Sequence, residues 1–225
     1  MHSALRGAVL EAHRRMERHT EGVRASCRKG CAFCCLAWVV VGLAEAEYLW
    51  TQLPPHLRLR VEAEGPVRLE RLVRQKGHPR LPTRHFLEAR PCPLLTAEGA
   101  CGVYPHRPLA CRGVLTDLDA RYCAPGVVPA LRGRARLEYL RQLGPRHGPE
   151  HYLRRPWQAA ERLARQIWAA EQQIRGFTVV GELVGLLYLA GKPAFQRALA
   201  LGKRAVRRWL AERGLLGGRW GFWVG

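Results

Sequence analysis

Cysteine spacing constrains this chain more than any other feature of its sequence. Four cysteines fall within nine residues, Cys27-Arg-Lys-Gly-Cys31-Ala-Phe-Cys34-Cys35, and four more follow at Cys92, Cys101, Cys111 and Cys123. Spacings of four and three bring thiols to one side of a helical turn or around a tight loop, and Gly30 helps the chain fold back on an ion. Adjacent Cys34 and Cys35 are awkward in a disulfide framework. The first 21 residues carry Arg and His every few positions, with no apolar run of signal-peptide length. The apolar run 177–190 is short for a membrane span and holds Glu182. The expectation is therefore a cytoplasmic chain, in which thiols stay reduced and clustered cysteines bind metal.

A tetrahedral site takes about four ligands, so seven or eight thiols exceed one simple site. Either two sites form, or one cluster forms with spare cysteines. The candidate ligands are Cys27, Cys31, Cys34, Cys35, Cys92, Cys101 and Cys111, with Cys123 a further one. Neighbouring Arg28, Lys29, Arg107 and Arg112 are expected to favour the thiolate forms. The competing reading, inert core cysteines, suits one or two scattered positions but not four within nine residues.

Apolar residues near helical spacing (Leu5, Val9, Met16, Val23) predict an amphipathic helix over 4–23. Val39-Val40-Val41 reads as a short strand, followed by a helix over 43–52 that stops before Pro54-Pro55. A helix over 56–75 is expected to break at Gly65-Pro66. Residues 77–129 hold eight of the 15 prolines and four cysteines. They read as an irregular stretch with a hairpin of 94–96 and 102–104 around Glu98-Gly99. Helices are predicted over 131–143, 157–174, 179–190 and 193–213, with Pro193 suited to a first turn. No strand–helix alternation appears, which argues against a parallel-sheet enzyme fold.

The expected fold class is mainly α: a helical domain enclosing a loop-rich cysteine/metal knot with a short β-hairpin, followed by C-terminal helices. Residues 1–129 would form the cysteine-cluster metal-binding domain and 130–225 a basic helical extension packed on it. With 48% hydrophobic residues, a packed core is within reach.

Lys and Arg total 37 against 18 Asp and Glu, a net charge of +19, and 33 of the 37 are Arg. Asn is absent, a thermophile-like bias that makes part of the charge a matter of codon habit. The excess is +4 in 1–30, +5 in 51–90, +6 in 130–175 and +7 in 192–225, whereas 91–129 is balanced. The helices, not the cysteine loops, carry it. RNA or another polyanion is one partner this admits, with Trp157, Trp168, Trp209, Trp220 and Trp223 as stacking groups. The simpler reading is a solvated basic surface with those tryptophans packed inside. Phe195, Leu199, Val206, Trp209 and Leu210 give the last helix an apolar side, which packs on its own domain or lies on an anionic membrane. The aromatic tail 220–225 is expected to fold back on the domain or insert into a neighbouring subunit.

The ordered motifs Cys27-x-x-x-Cys31-x-x-Cys34-Cys35, Cys92-Pro-Leu-Leu and Cys101-x-x-Tyr104-x-x-Arg107-Pro108-x-x-Cys111-Arg112 resemble the YkgJ-type cysteine-cluster family. That family is described as a zinc- or iron-chelating domain, found also in flagellin lysine-N-methylase-like proteins. The resemblance spans about 27–112, implies a metal and leaves the reaction open. Glu45 and Glu47 sit where such domains often carry an acidic residue.

Thiolate-rich sites suit zinc or iron–sulfur chemistry. The excess of cysteines over four, without paired CxxC knuckles, points to an iron–sulfur cluster of the 4Fe–4S type, with zinc as the alternative. His78, His85 and His106 lie near the motifs and read first as solvated loop residues, second as zinc ligands. Cys27-x-x-x-Cys31-x-Phe33-Cys34 also fits the radical-SAM signature, but that chemistry uses an α/β barrel. A radical-SAM-like or methyltransferase-related enzyme and a zinc-stabilised RNA-binding module are the rival functions. Tyr104, Arg107 and Arg112 either bind an anion or support the sulfur ligands and loop carbonyls. No phosphate loop, nucleophile elbow or HExxH helix is present.

Overall fold

The computed structural model describes residues 2–28, 30–148 and 150–225. Helix α1 (Ser3–Thr20) buries Leu5, Val9, Ala12, His13 and Met16, one stripe at helical spacing. His2 caps it, its Nδ1 accepting the Ala4 N–H at 3.3 Å. The helix stops three residues short of the expected Val23. The Thr20 hydroxyl donates to the Met16 carbonyl at 3.1 Å, and Gly22 at φ +70° turns the chain away.

Strand β1 (Val40–Gly42) runs directly into α2 (Leu43–Gln52), as the sequence predicts. Helix α3 (Pro55–Gln75) corrects the expected break, because it continues through Gly65 and Pro66. Pro66 forfeits its bond to the carbonyl of residue 62, a cost packing must offset. Gly65 supplies that packing: a methyl there would collide with the Tyr188 side chain, so α3 can approach its neighbour closely.

The proline-rich middle is less irregular than its composition implies. It holds α4 (Leu81–Leu87), with Pro82 in the first turn, and one-turn helices α5 (Leu109–Arg112) and α6 (Val127–Ala130). The hairpin is present as a single antiparallel bridge between Leu95 and Cys101, flanked by Thr96 N–H to Ala100 O at 2.7 Å and Gly102 N–H to Leu94 O at 2.8 Å. Helices α7 (Gly133–Gln142) and α8 (Arg154–Arg175) follow.

Two expectations in the last quarter are corrected. The helix expected over 179–190 begins as strand β2 (Val179–Glu182) and becomes α9 (Leu183–Ala190) only where Glu182 accepts the Gly185 N–H at 2.7 Å. Val179 and Val180 are β-branched, and Val180 pairs with Gly42 on one side and Trp223 on the other, so sheet hydrogen bonds override the apolar run. The helix expected over 193–213 is two helices, α10 (Pro193–Ala200) and α11 (Lys203–Glu212), parted at Gly202 with φ +91°. The tail folds back: β3 (Trp223–Val224) completes an antiparallel sheet of order β1-β2-β3, with Val40 opposite Glu182 and Val179 opposite Val224. Among the described residues these make eleven helices and three strands.

The main core gathers Leu43, Leu49, Leu57 and Leu72 with Leu186, Leu187, Phe195 and Phe222. A second packs Leu5, Val9 and Met16 of α1 on Ala160, Leu163 and Ile167 of α8, closed by Leu109. A third, small one joins Leu118, Tyr122 and Tyr139. Segments from both sides of residue 130 build the first two, and α1 and α8 pack against α5, which carries Cys111. Trp209 packs tilted on Phe195 at 5.1 Å, Trp157, Trp168 and Trp220 are half-buried, and Trp223 is exposed. No described helix is long and apolar enough to cross a membrane.

Candidate metal centre

Five short segments present the eight cysteines, and backbone hydrogen bonds tie several of them together. The 27–35 loop ends in a 3₁₀ turn, Phe33–Leu36, which aligns Cys34 and Cys35. The Cys92 N–H donates to the Cys35 carbonyl at 2.8 Å, and the Leu95 N–H to the Cys92 carbonyl at 3.0 Å. Cys101 stands on the hairpin, whose tip Gly99 (φ +72°) lies against Gly30; a Cβ on Gly99 would fall 3.3 Å from the Gly30 carbonyl. Cys111 is in α5 and Cys123 ends the 3₁₀ turn Ala120–Cys123. Thr116 joins the first loop to this last part, its carbonyl accepting the Ser26 N–H at 2.7 Å.

All eight thiols are free, Cys27 exposed and the other seven half-buried. They lie close enough to feel one another's charge. The Cys35 thiol donates to Cys34, which holds the Cys34 thiol below its usual range and drives Cys35 far up. Burial, then repulsion from Cys101, pushes Cys92 up to about 12. Burial and neighbouring Cys92, Cys34 and Cys101 push Cys111 well up, and burial followed by Cys27, Cys31 and Cys34 lifts Cys123 to about 12. Cys27 and Cys101 are raised by burial as well. The Arg107 guanidinium works against the rise at Cys27, Cys101 and Cys111 and adds to the lowering at Cys34.

Arg107 stacks over the exposed Tyr104 ring at 3.9 Å. Arg112 is buried and braces the motif backbone, its Nε donating to the Arg107 carbonyl at 2.9 Å and its Nη2 to the Pro105 carbonyl. Its Nη1 reaches Glu17 of α1 at 3.3 Å. Glu45, buried in α2, accepts the Leu109 N–H at 2.9 Å and so caps the turn bearing Cys111; burial lifts its carboxyl to about 7. Glu47 faces away, paired with Arg175 at 2.6 Å. Lys29 lies outside the described residues.

The three histidines weighed as ligands have other partners. His85 is buried against Arg68, His106 bonds the Tyr48 hydroxyl at 2.8 Å, and His78 accepts the Arg80 N–H at 3.1 Å. His151 is the histidine at the thiols, with Nε2 3.1 Å from Cys123 Sγ. Burial lowers its pKa, assisted by His147. It follows the last cysteine by 28 residues, outside every motif, and its residue type was the only signal in the sequence.

Among the described residues no three Cys, His, Asp or Glu side chains are closed to metal-coordination spacing. The thiols share a region and a field, in a shell left open. Their chemistry nevertheless fits a soft or borderline cation: buried thiols repel one another's anionic forms, and a metal ion reverses that penalty by binding thiolate directly.

The loops and the helical frame thus present a set of thiols suited to a soft or borderline metal ion. Residues 26–124, somewhat under half of the chain, match the family model CxxCxxCC, "Putative zinc- or iron-chelating domain". This segment is similar to that family, in agreement with the resemblance read from the motifs. Comparison with curated proteins and with solved structures gives no match.

Proposed function

We propose that this chain is a metal-holding cysteine-cluster protein whose thiols carry an iron–sulfur cluster, with zinc as the alternative occupant. One observation supports it above the others: free thiols from five separate segments are brought within one another's field, with Arg107 beside Cys27, Cys34, Cys101 and Cys111. Cys34, Cys35, Cys92, Cys101 and Cys111 would hold the cluster, and Arg107 would offset the negative charge of a thiolate-rich group. Arg112 and Glu45 fix the loop that carries Cys111. When bound, a cluster supplies one-electron transfer and zinc a structural cross-link.

Anaerobic purification with metal and acid-labile sulfide analysis tests the reading. Iron, sulfide and a broad absorption band near ~400 nm are expected. Colourless protein holding zinc would replace the cluster with a structural site, and protein that takes up neither metal would end the proposal. Cys111→Ser should lose metal, whereas full retention would remove Cys111 from the ligand set.

The sheet is three antiparallel strands, so the α/β barrel that radical-SAM chemistry uses does not occur among the described residues.

A further inference from the structure

We propose that His151 is a metal ligand, closing with Cys27, Cys31 and Cys123 a Cys3His site for a zinc-like divalent cation, separate from the thiol group around Cys111. The inference rests on the metal-holding reading above. It adds a nitrogen donor from outside residues 26–124, the part of the chain the family model covers.

The geometry around His151 is that of a held ligand. Its side chain is buried at 1% exposure and set among the rings of Tyr152 at 4.9 Å, Tyr139 at 6.1 Å and Tyr122 at 6.4 Å. Nδ1 lies 3.3 Å from the Tyr139 hydroxyl while Nε2 points at Cys123 Sγ, 3.1 Å away. Metal-bound imidazoles commonly donate their second N–H to an oxygen, which leaves the other nitrogen's lone pair aimed at the ion. Nδ1–H to Tyr139 and Nε2 to metal is that arrangement. Zinc bonds of about 2.3 Å to sulfur and 2.0 Å to nitrogen put the two atoms about 3.5 Å apart in a tetrahedron. This pair has to open by only a few tenths of an ångström, and Cys27 and Cys31 have to close in on it when the ion binds.

Thr116 connects this pair to the first cysteine loop. Its hydroxyl donates to the His151 carbonyl at 2.9 Å, and its carbonyl accepts the N–H of Ser26, next to Cys27, at 2.7 Å. One buried residue thus fixes His151 and Cys27 on the same side of the molecule. Within that loop the Cys31 N–H donates to the Arg28 carbonyl at 2.9 Å, a turn that keeps Cys31 close to Cys27. Three thiols and one imidazole complete a four-ligand site, leaving five thiols for the other, and the excess over one simple site is accounted for.

The full-length protein, loaded with Zn2+ alone and examined by X-ray absorption at the zinc edge, tests this directly. Two zinc ions per chain are expected. The averaged first shell should contain a nitrogen near ~2.0 Å with the outer-shell pattern of imidazole beside sulfur near ~2.3 Å. His151→Gln should lose the imidazole pattern and one of the two ions. An all-sulfur shell in the unmodified protein, or an imidazole pattern that persists in His151→Gln, would overturn the assignment while leaving metal binding intact. No zinc uptake at all would overturn the Cys3His site, while the iron–sulfur reading stands or falls on the iron and sulfide analysis. Because the unmodified protein alone can decide, a variant that fails to fold does not protect the idea.

Discussion

Buried carboxyls behave differently from the buried thiols because no metal is needed to neutralise them. Glu171 of α8 is fully buried; Thr178 donates to it, and burial raises its carboxyl to about 7 from an ordinary 4.5. The folded protein therefore holds a proton there that the unfolded chain releases. The stability this contributes is complete below pH 4.5 and is lost as pH rises through about 7. Glu171→Gln mimics the protonated form. It should match the parent near pH 4.5 and exceed it by up to about 3 kcal/mol above pH 7, read from denaturant midpoints. A variant weaker than the parent above pH 7 would mean that the Arg175 guanidinium, 3.7 Å away, outweighs burial. His85 has the opposite sign: burial and then Arg68 lower it to about 3, so its contribution declines as pH falls below 6.5. At this scale the cysteines were legible in the sequence, because side-chain chemistry is a property of residue type. His151 and Thr116 were not, since their importance comes from contacts across long stretches of chain.

Elements were legible wherever local pattern and tertiary demand agreed. Helix α2 is such a case, because its apolar residues and the proline after it define both ends. Strand β2 is the opposite case. Val-Val-Gly-Glu followed by Leu-Val-Gly-Leu-Leu is apolar throughout, and no period separates strand from helix in a run buried on every side. What decides is β3, which arrives more than forty residues later to occupy the free edge. Phe222 lies over Gly181, where a methyl group would occupy the space of its ring, and Phe222 itself is wholly buried. Removing residues 219–225 should therefore lower the melting temperature, and Phe222→Ala alone should cost about 3–5 kcal/mol. An unchanged melting curve for either variant would contradict the docked tail. Pro66 shows a further limit of local rules, since a helix can run through a proline when a glycine beside it secures close packing.

Over the whole molecule, most of the apolar packing lies in the long helices and most of the thiols lie outside it. Leu94, Val103 and Leu109 tie the cysteine loops to the two larger cores, and of the thiols Cys92 and Cys101 pack against them. Removing metal should loosen the loops before it unfolds the helices. Chelation under reducing conditions, followed by brief trypsin treatment, should give early cleavage at Arg24, Arg28 or Arg121 with helical circular dichroism largely kept. Simultaneous loss of both would show that the metal holds the entire fold. The helical class was legible from composition and period, but the way the chain closes on itself was not. Strand pairing across about 140 residues leaves no local trace.

That closure sets an order of assembly. The thiols lie within residues 27–123, whereas α8 and the strands β2 and β3 come later in the chain. Pairings of such wide separation form slowly, because the loop between them must be ordered first. A refolding chain consequently passes through an interval in which its cysteines are close together but not yet covered. In air, thiolates in that interval attack neighbouring oxidised sulfurs and become trapped as mixed disulfides. The folded protein needs no disulfide, yet its recovery from denaturant should depend on reductant and on metal present before the sheet closes.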